Sequence, residues 1–184
     1  MKSGEPDGTR SRSCRLGPYW VTVECRGGKV AGVTLGKKGT RDDRKLARDL
    51  ERVLDRGPIP EYLHVDTTGL SGFTRKVLGY CAGIVPGQVM TYSELARAAG
   101  SPRGGRAAGQ AMANNPFALL IPCHRVVGSD YSLHGFGGGL EMKEWLLARE
   151  GWQFEGTGSG RRLKSKAKSQ EPKAKGRTRK GLGG

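Results

Sequence analysis

The spacing of apolar and polar residues divides the chain into two blocks of structure. From Gly17 to Leu35 the alternation has a period of two: Tyr19, Val21 and Val23 interleave with Trp20, Thr22 and Glu24. Gly27-Gly28 then supplies a hairpin turn, and Val30 to Leu35 reads as a second strand. Between Arg41 and Leu54 the period changes. Leu46, Leu50, Val53 and Leu54 recur at helical spacing until Gly57-Pro58 breaks the run. A second block opens at Ser71, where Phe73, Val77, Leu78, Cys81 and Ile84 again follow a helical stripe. Thr91-Tyr92-Ser93-Glu94 fits the capping box, and Gly100 is a natural stop for that helix. Ser101-Pro102 predicts another helix over Arg103–Asn114, built largely from Gly and Ala. The last predicted helix runs from Leu140 to Glu150 and ends at Gly151.

The fold class expected is α/β (α+β). A flexible N-terminus (1–13) precedes a small α/β domain (14–68) and a mainly helical domain (69–155). A disordered basic tail (156–184) follows. Two adjacent helices joined by a short Gly-containing turn resemble a helix-turn-helix. Glycines are unfavourable inside a helix. Close approach of its backbone to another surface would explain them, and Arg103 and Arg106 make a nucleic acid one candidate.

Charge sharpens that picture. The 184 residues carry a net charge of +15, with apolar residues at 35%. Globular chains average about 45–50% apolar residues. Residues 156–184 hold ten of the 32 Lys and Arg and one acid, Glu171. So basic and apolar-poor a segment cannot bury enough surface to offset the entropy of ordering. The imbalance points to a polyanionic partner. No run is apolar enough for a membrane span, and the N-terminus has no signal-peptide pattern. Cys14, Cys25, Cys81 and Cys123 are widely spaced, with no C-x-x-C pair. Reduced thiols in an intracellular protein are expected. The loop Gly135-Phe136-Gly137-Gly138-Gly139 fails the dinucleotide pattern because Leu140 follows.

Cys123-His124 is the most informative pair for chemistry. A thiolate is a strong nucleophile, and an adjacent base activates it. Neighbours on an extended strand point apart, so contact between the two requires a turn, and Pro122 favours one. Glu144 lies on an apolar stripe with Leu140 and Leu147. A carboxylate there needs a partner or a role. The three together would form a relay in which Glu144 orients His124 and His124 takes the thiol proton.

The segment Ile121-Pro122-Cys123-His124-Arg125-Val126-Val127 resembles the signature of the O6-alkylguanine-DNA alkyltransferases. The resemblance extends over Phe73-Thr74-Arg75, Thr91 to Ala96, Arg106 to Gly109, Asn115-Pro116, Gly138 to Leu140 and Lys143 to Leu147. It implies a ribonuclease-H-like N-terminal domain and a C-terminal domain docking in the DNA minor groove, with the damaged guanine flipped into a pocket. It implies that Cys123 accepts the alkyl group from O6-alkylguanine, or O4-methylthymine, once per molecule. His124 would act as base through a water, Glu144 would orient it, and Asn115 would position the loop. Tyr92 would assist the leaving group and contact the DNA phosphate beside the flipped base, and Arg106 would take the place of the extruded base. Thr74, Ser93, Ser101, Ser129 and Arg125 would contact DNA, and Phe136, Gly137 and Gly138 would line the base pocket.

The implied partner is double-stranded DNA, met by a monomer without cofactor, in a nucleoid or a nucleus. Gly137 stands where mammalian members carry Ser, which predicts a roomier pocket, and His134 where a small residue is usual. Some members bind zinc; Cys14, Cys25 and His64 are candidate ligands that lack a fourth. Alkyltransferase-like relatives that bind without repair usually carry Trp in place of the cysteine. A Cys-His hydrolase would need an oxyanion hole, and a purely architectural DNA-binding protein would leave Cys123, His124 and Glu144 incidental.

Overall fold

A computed structural model describes residues 8–164, which divide into two compact units. The first comprises the described residues up to Thr68 together with Pro116–Leu120. Its sheet is an antiparallel meander of β1 (Arg10–Leu16), β2 (Tyr19–Arg26) and β3 (Lys29–Gly36). Gly27 and Gly28 both have positive φ, the backbone that a two-residue hairpin turn demands. Inward-facing Cys14, Leu16, Val21, Val23 and Val30 are buried. So are Leu46, Leu50 and Val53 of helix α1 (Arg44–Leu54). Asp43 caps α1, its carboxylate accepting from the amides of Lys45 and Leu46.

Strand β1 corrects the expectation of a flexible stretch through residue 13. Only Cys14 and Leu16 announce a buried face, but Ser13 is buried too and its hydroxyl bonds Thr22 Oγ1 at 2.8 Å. Pairing with β2 across the sequence, from Arg10↔Cys25 to Leu16↔Tyr19, orders the segment.

The second unit comprises residues 69–115 and the described residues from Ile121. Helix α2 (Gly72–Ala82) is capped by Ser71, whose hydroxyl accepts from the Thr74 amide. The short strand β4 (Met90–Thr91) leads into α3 (Tyr92–Ala98), and the predicted capping box is present in both directions. Helix α4 (Gly105–Ala113) packs on α3 and begins two residues later than predicted. Ser101 opens a turn instead of capping the helix, its carbonyl accepting from the Gly104 amide at 2.9 Å. Strand β5 (Val126–Val127) pairs in parallel with β4, and α5 (Leu140–Arg149) follows.

The ordered chain does not stop at residue 155. Strands β6 (Phe154–Glu155) and β7 (Arg162–Leu163) form a hairpin. Leu163 is buried in a cluster with Val127, Leu133, Leu147 and Trp152. Arg161 donates to both carboxylate oxygens of Glu144, with its Nε at 3.0 Å. One apolar anchor and one ion pair thus order residues that composition alone assigned to the tail. The remaining tail residues, 165–184, lie outside the described residues. Among the described residues no helix is long and apolar enough to cross a membrane.

Candidate active site

Cys123, His124 and Arg125 form one 3-10 turn after Pro122, the break that contact between the cysteine and histidine required. The turn is interior. His124 is fully buried, Arg125 is 2% exposed and Cys123 8%. Burial pushes the Cys123 thiol above its ordinary pKa. A side-chain hydrogen bond from Asn115 and the charge of Lys143 oppose that rise. The Asn115 amide also donates to Ile121 O at 3.1 Å, clasping the segment that leads into the turn.

The carboxylate beside His124 is Glu150, and this corrects the expectation that Glu144 orients the imidazole. Glu150 caps the C-terminus of α5 and turns inward, placing Oε1 3.0 Å from His124 Nε2. The same oxygen accepts from Arg125 Nε at 2.8 Å, and Oε2 accepts from the Gly87 amide. Burial raises the Glu150 pKa, but hydrogen bonds from His124 and Arg125 outweigh it and hold the group below its usual value. Burial lowers the His124 pKa, with the Glu150 contact only partly restoring it. An ionised Glu150 therefore faces a neutral imidazole that donates through Nε2, leaving the lone pair on Nδ1. That Nδ1 is buried and has no hydrogen-bond partner among the described residues. Glu144 is instead held by Arg161 and is one-third exposed.

Arg125 was expected on DNA. It is enclosed instead, donating to Glu150 and, through Nη1, to Ile84 O at 2.7 Å. A guanidinium committed to two buried acceptors has no surface to offer a phosphate.

Beside the turn lies a cleft of about 900 Å³, whose walls include Tyr92, Arg106, Gly109, His134, Phe136 and Gly137. Phe136 meets the His124 ring edge-on at 6.4 Å, so the cleft wall and the buried turn share an aromatic contact. Burial raises the Tyr92 hydroxyl to about 12, with the Cys123 sulfur a second cause, so the phenol is a proton donor at neutral pH. His134 stands 5.9 Å from Tyr92 between ring centroids. Its Nε2 lies 3.0 Å from Ser132 Oγ, which donates to Asp130 Oδ1. A Cβ at Gly137 would meet open space, consistent with a roomy cleft. Ser93 and Arg106 also border the cleft, and Arg106 is exposed. Ser129 is exposed, Ser101 and Gly138 are half-buried, and Thr74 lies near the N-terminus of α2, bonded to Ser71.

The zinc candidates do not fit a metal. Cys14 is a core residue whose thiol burial pushes to about 12, and Cys25 Sγ donates to Tyr62 O at 3.8 Å. Among the described residues no group of three His, Cys, Asp or Glu side chains gathers to hold an ion. Sequence reasoning missed two site residues, Glu150 and Lys143. Glu150 had one signal, its place immediately before a helix-stopping glycine. Lys143 had none, because a lysine between apolar residues of a helix usually extends to solvent.

Residues 72–152 match a family model described as 6-O-methylguanine DNA methyltransferase, DNA binding domain. A human methylated-DNA--protein-cysteine methyltransferase is 45% identical over 104 residues, which cover 56% of this chain and 50% of that one. A protein of the same name from Methanothermobacter thermautotrophicus is 44% identical over 115 residues, covering 61% and 64%. The chain therefore spans half to two-thirds of the length of these relatives. Among solved structures, Mycobacterium tuberculosis OGT in complex with DNA aligns with a TM-score of 0.60 at 26% identity, covering 77% of this chain and 91% of that one. A second, the O6-methylguanine-DNA methyltransferase of Pyrococcus kodakaraensis, has a TM-score of 0.62 at 24% identity and shares the fold, covering 78% and 99%.

Proposed function

We propose, from the premise that residues 72–152 belong to the 6-O-methylguanine DNA methyltransferase DNA-binding family, that this chain repairs DNA by taking the alkyl group of O6-alkylguanine onto Cys123. The observation that carries the reading is the buried Cys123-His124 turn. Glu150 holds His124 by Nε2, and the basic lone pair is left on Nδ1.

The chemistry is an in-line displacement at carbon. His124 Nδ1 takes the Cys123 proton through a water molecule, and the sulfur attacks the alkyl carbon. The bond from that carbon to O6 breaks, and its electron pair leaves with guanine. Tyr92, protonated at neutral pH, hydrogen-bonds the departing base and passes it a proton. The Tyr92 phenol then recovers a proton through the site, so the thiol proton is in balance transferred to guanine. A thioether has no easy exit, and each molecule acts once. The same displacement applies to O4-methylthymine.

Access requires that the base leave the stack. Arg106 is exposed at the cleft and fits the role of filling the space behind it. Helices α3 and α4, with Ser93 and Ser101 at their approach, would act as the helix-turn-helix that meets the minor groove of double-stranded DNA. Thr74 and Ser129 would add backbone contacts. Phe136, Gly137 and Gly138 would form the wall of the base pocket, and one chain would suffice.

The test is a mass measurement. After incubation with duplex DNA carrying O6-methylguanine, the Cys123 peptide should gain one methyl group per molecule and no more. Cys123→Ala should abolish transfer and retain DNA binding. An unchanged peptide mass, or repeated turnover, overturns the reading.

A further inference from the structure

Among the buried ionisable side chains that take no part in the transfer just described, one is a lysine. Lys143 of α5 is fully enclosed. Its ammonium donates to Val126 O at 2.7 Å and to His134 O at 3.3 Å. Among the described residues it forms no ion pair. Burying an ammonium on backbone carbonyls alone is unfavourable, and a leucine would fill an interior helix position without that cost. The placement of the two acceptors is informative. The Val126 amide closes the turn that carries Cys123 by bonding the Cys123 carbonyl. His134 stands on the cleft wall opposite Tyr92. One ammonium thus fastens the nucleophile's turn to the wall of the cleft.

Its charge matters as much as its bonds. Burial lowers the Lys143 pKa to about 8, and the Cys123 and Cys81 sulfurs oppose that fall. The coupling is mutual, since Lys143 is also among the groups that lower the Cys123 thiol. His124, the intended base, is neutral and lends the thiolate no charge.

We propose that Lys143 is a positioning residue for the transfer, its buried ammonium stabilising the Cys123 thiolate while its two hydrogen bonds hold the Cys123 turn against the cleft wall. The other ionisable groups around the sulfur are Cys81 of α2, Tyr92 of α3, His124 and Arg125 of the turn, and Glu150 beyond α5. Cys81 and Tyr92 stay protonated near neutral pH, because burial raises both. Arg125 is neutralised by Glu150. Lys143 is then the uncompensated buried charge in this group. It and Cys123 should titrate as a coupled pair.

The proposal rests on Cys123 being the alkyl acceptor, yet its test needs no DNA. In the full chain, iodoacetamide is applied from neutral to alkaline pH and alkylation is read as the mass of the Cys123 peptide. Lys143→Met keeps the shape and removes the charge. Its alkylation profile should move alkaline by about one unit or more, with the rate near neutral pH falling about tenfold. An unmoved profile in a folded variant overturns the proposal.

A second measurement leaves Lys143 in place, so the question stays answerable if the methionine variant does not fold. The titration of the Lys143 ε-carbon is followed by NMR in the parent chain and in Cys123→Ser. Loss of the thiolate should move the lysine's midpoint down; an unshifted midpoint overturns the proposal. Neither readout involves methyl transfer, so failure of the repair reading and failure of this proposal would be separate results.

Discussion

Two glutamates six residues apart have opposite circumstances. Glu150 is 8% exposed at its side chain and serves His124, Arg125 and the Gly87 amide. Glu144 is 32% exposed and serves Arg161. Truncating one partner of a buried charge pair leaves the other desolvated and unpaired, at a cost of roughly 3–5 kcal/mol. Truncating an exposed pair costs roughly 0–1 kcal/mol. Glu150→Ala should therefore destabilise the chain by several times as much as Glu144→Ala in urea denaturation. Equal costs would show that the turn is held by something other than Glu150. The reason the sequence pointed to Glu144 is physical. Periodicity along α5 ranks positions on a helix face, and Glu144 shares a stripe with Leu140 and Leu147. Glu150 sits past the last helical turn, where the chain's direction depends on Gly151 at φ +85° and on packing that no spacing encodes. The proposed nucleophile and base can be paired from the sequence because covalent neighbours need only a turn. The carboxylate cannot, because it reaches them through the fold.

At the level of elements, local rules carried well. The Gly27-Gly28 hairpin and the Thr91–Glu94 box depend on a few adjacent residues, and both form where their residues stand, whereas the Ser101 cap gives way to a turn and α4 starts after Gly104. Strand β1 and hairpin β6–β7 depend on partners elsewhere, and composition concealed both. Helix α4 falls between the two cases. Its glycines suggested approach to an outside surface, yet a Cβ at Gly105 would lie 3.3 Å from Ser93 Oγ, so part of their purpose is packing on α3. Gly109 is different. A Cβ there would find ordinary contact, 3.9 Å from Tyr92 Cδ1, and the residue borders the cleft. Gly109→Ala should raise stability by about 0.5–1 kcal/mol through helix propensity. The added methyl should at the same time weaken duplex binding, because it narrows the face proposed to meet DNA. Thermal unfolding and a fluorescence-anisotropy titration check the two halves. A lower melting temperature would mean that the Tyr92 contact is tighter than its distance implies.

For the whole molecule, the net charge of +15 is better divided at Lys164 than at Glu155. Arg161 and Arg162 counted toward a basic tail, but one is fixed to Glu144 and the other pairs with Glu155 across the hairpin. Beyond Lys164 there remain seven Lys and Arg and the single acid Glu171. Two truncations therefore have different expected outcomes. Ending the chain after Lys164 removes positive charge and none of the packing described above. DNA affinity should fall, and the slope of log K against log salt should flatten by about 0.9 for each phosphate the segment neutralises. Stability, and the rate of methyl transfer at saturating DNA, should hold. Ending it after Glu155 also removes Leu163 from the cluster with Leu133, Leu147 and Trp152, and takes Arg161 from Glu144. Losing a buried leucine alone costs about 2–5 kcal/mol, so this shorter chain should melt earlier whatever the salt. Salt-dependent binding and thermal unfolding of the two forms, measured side by side, separate the contributions. If the longer truncated form lost transfer at saturating DNA, residues 165–184 would be acting in the proposed chemical step and not only in the proposed contact with DNA.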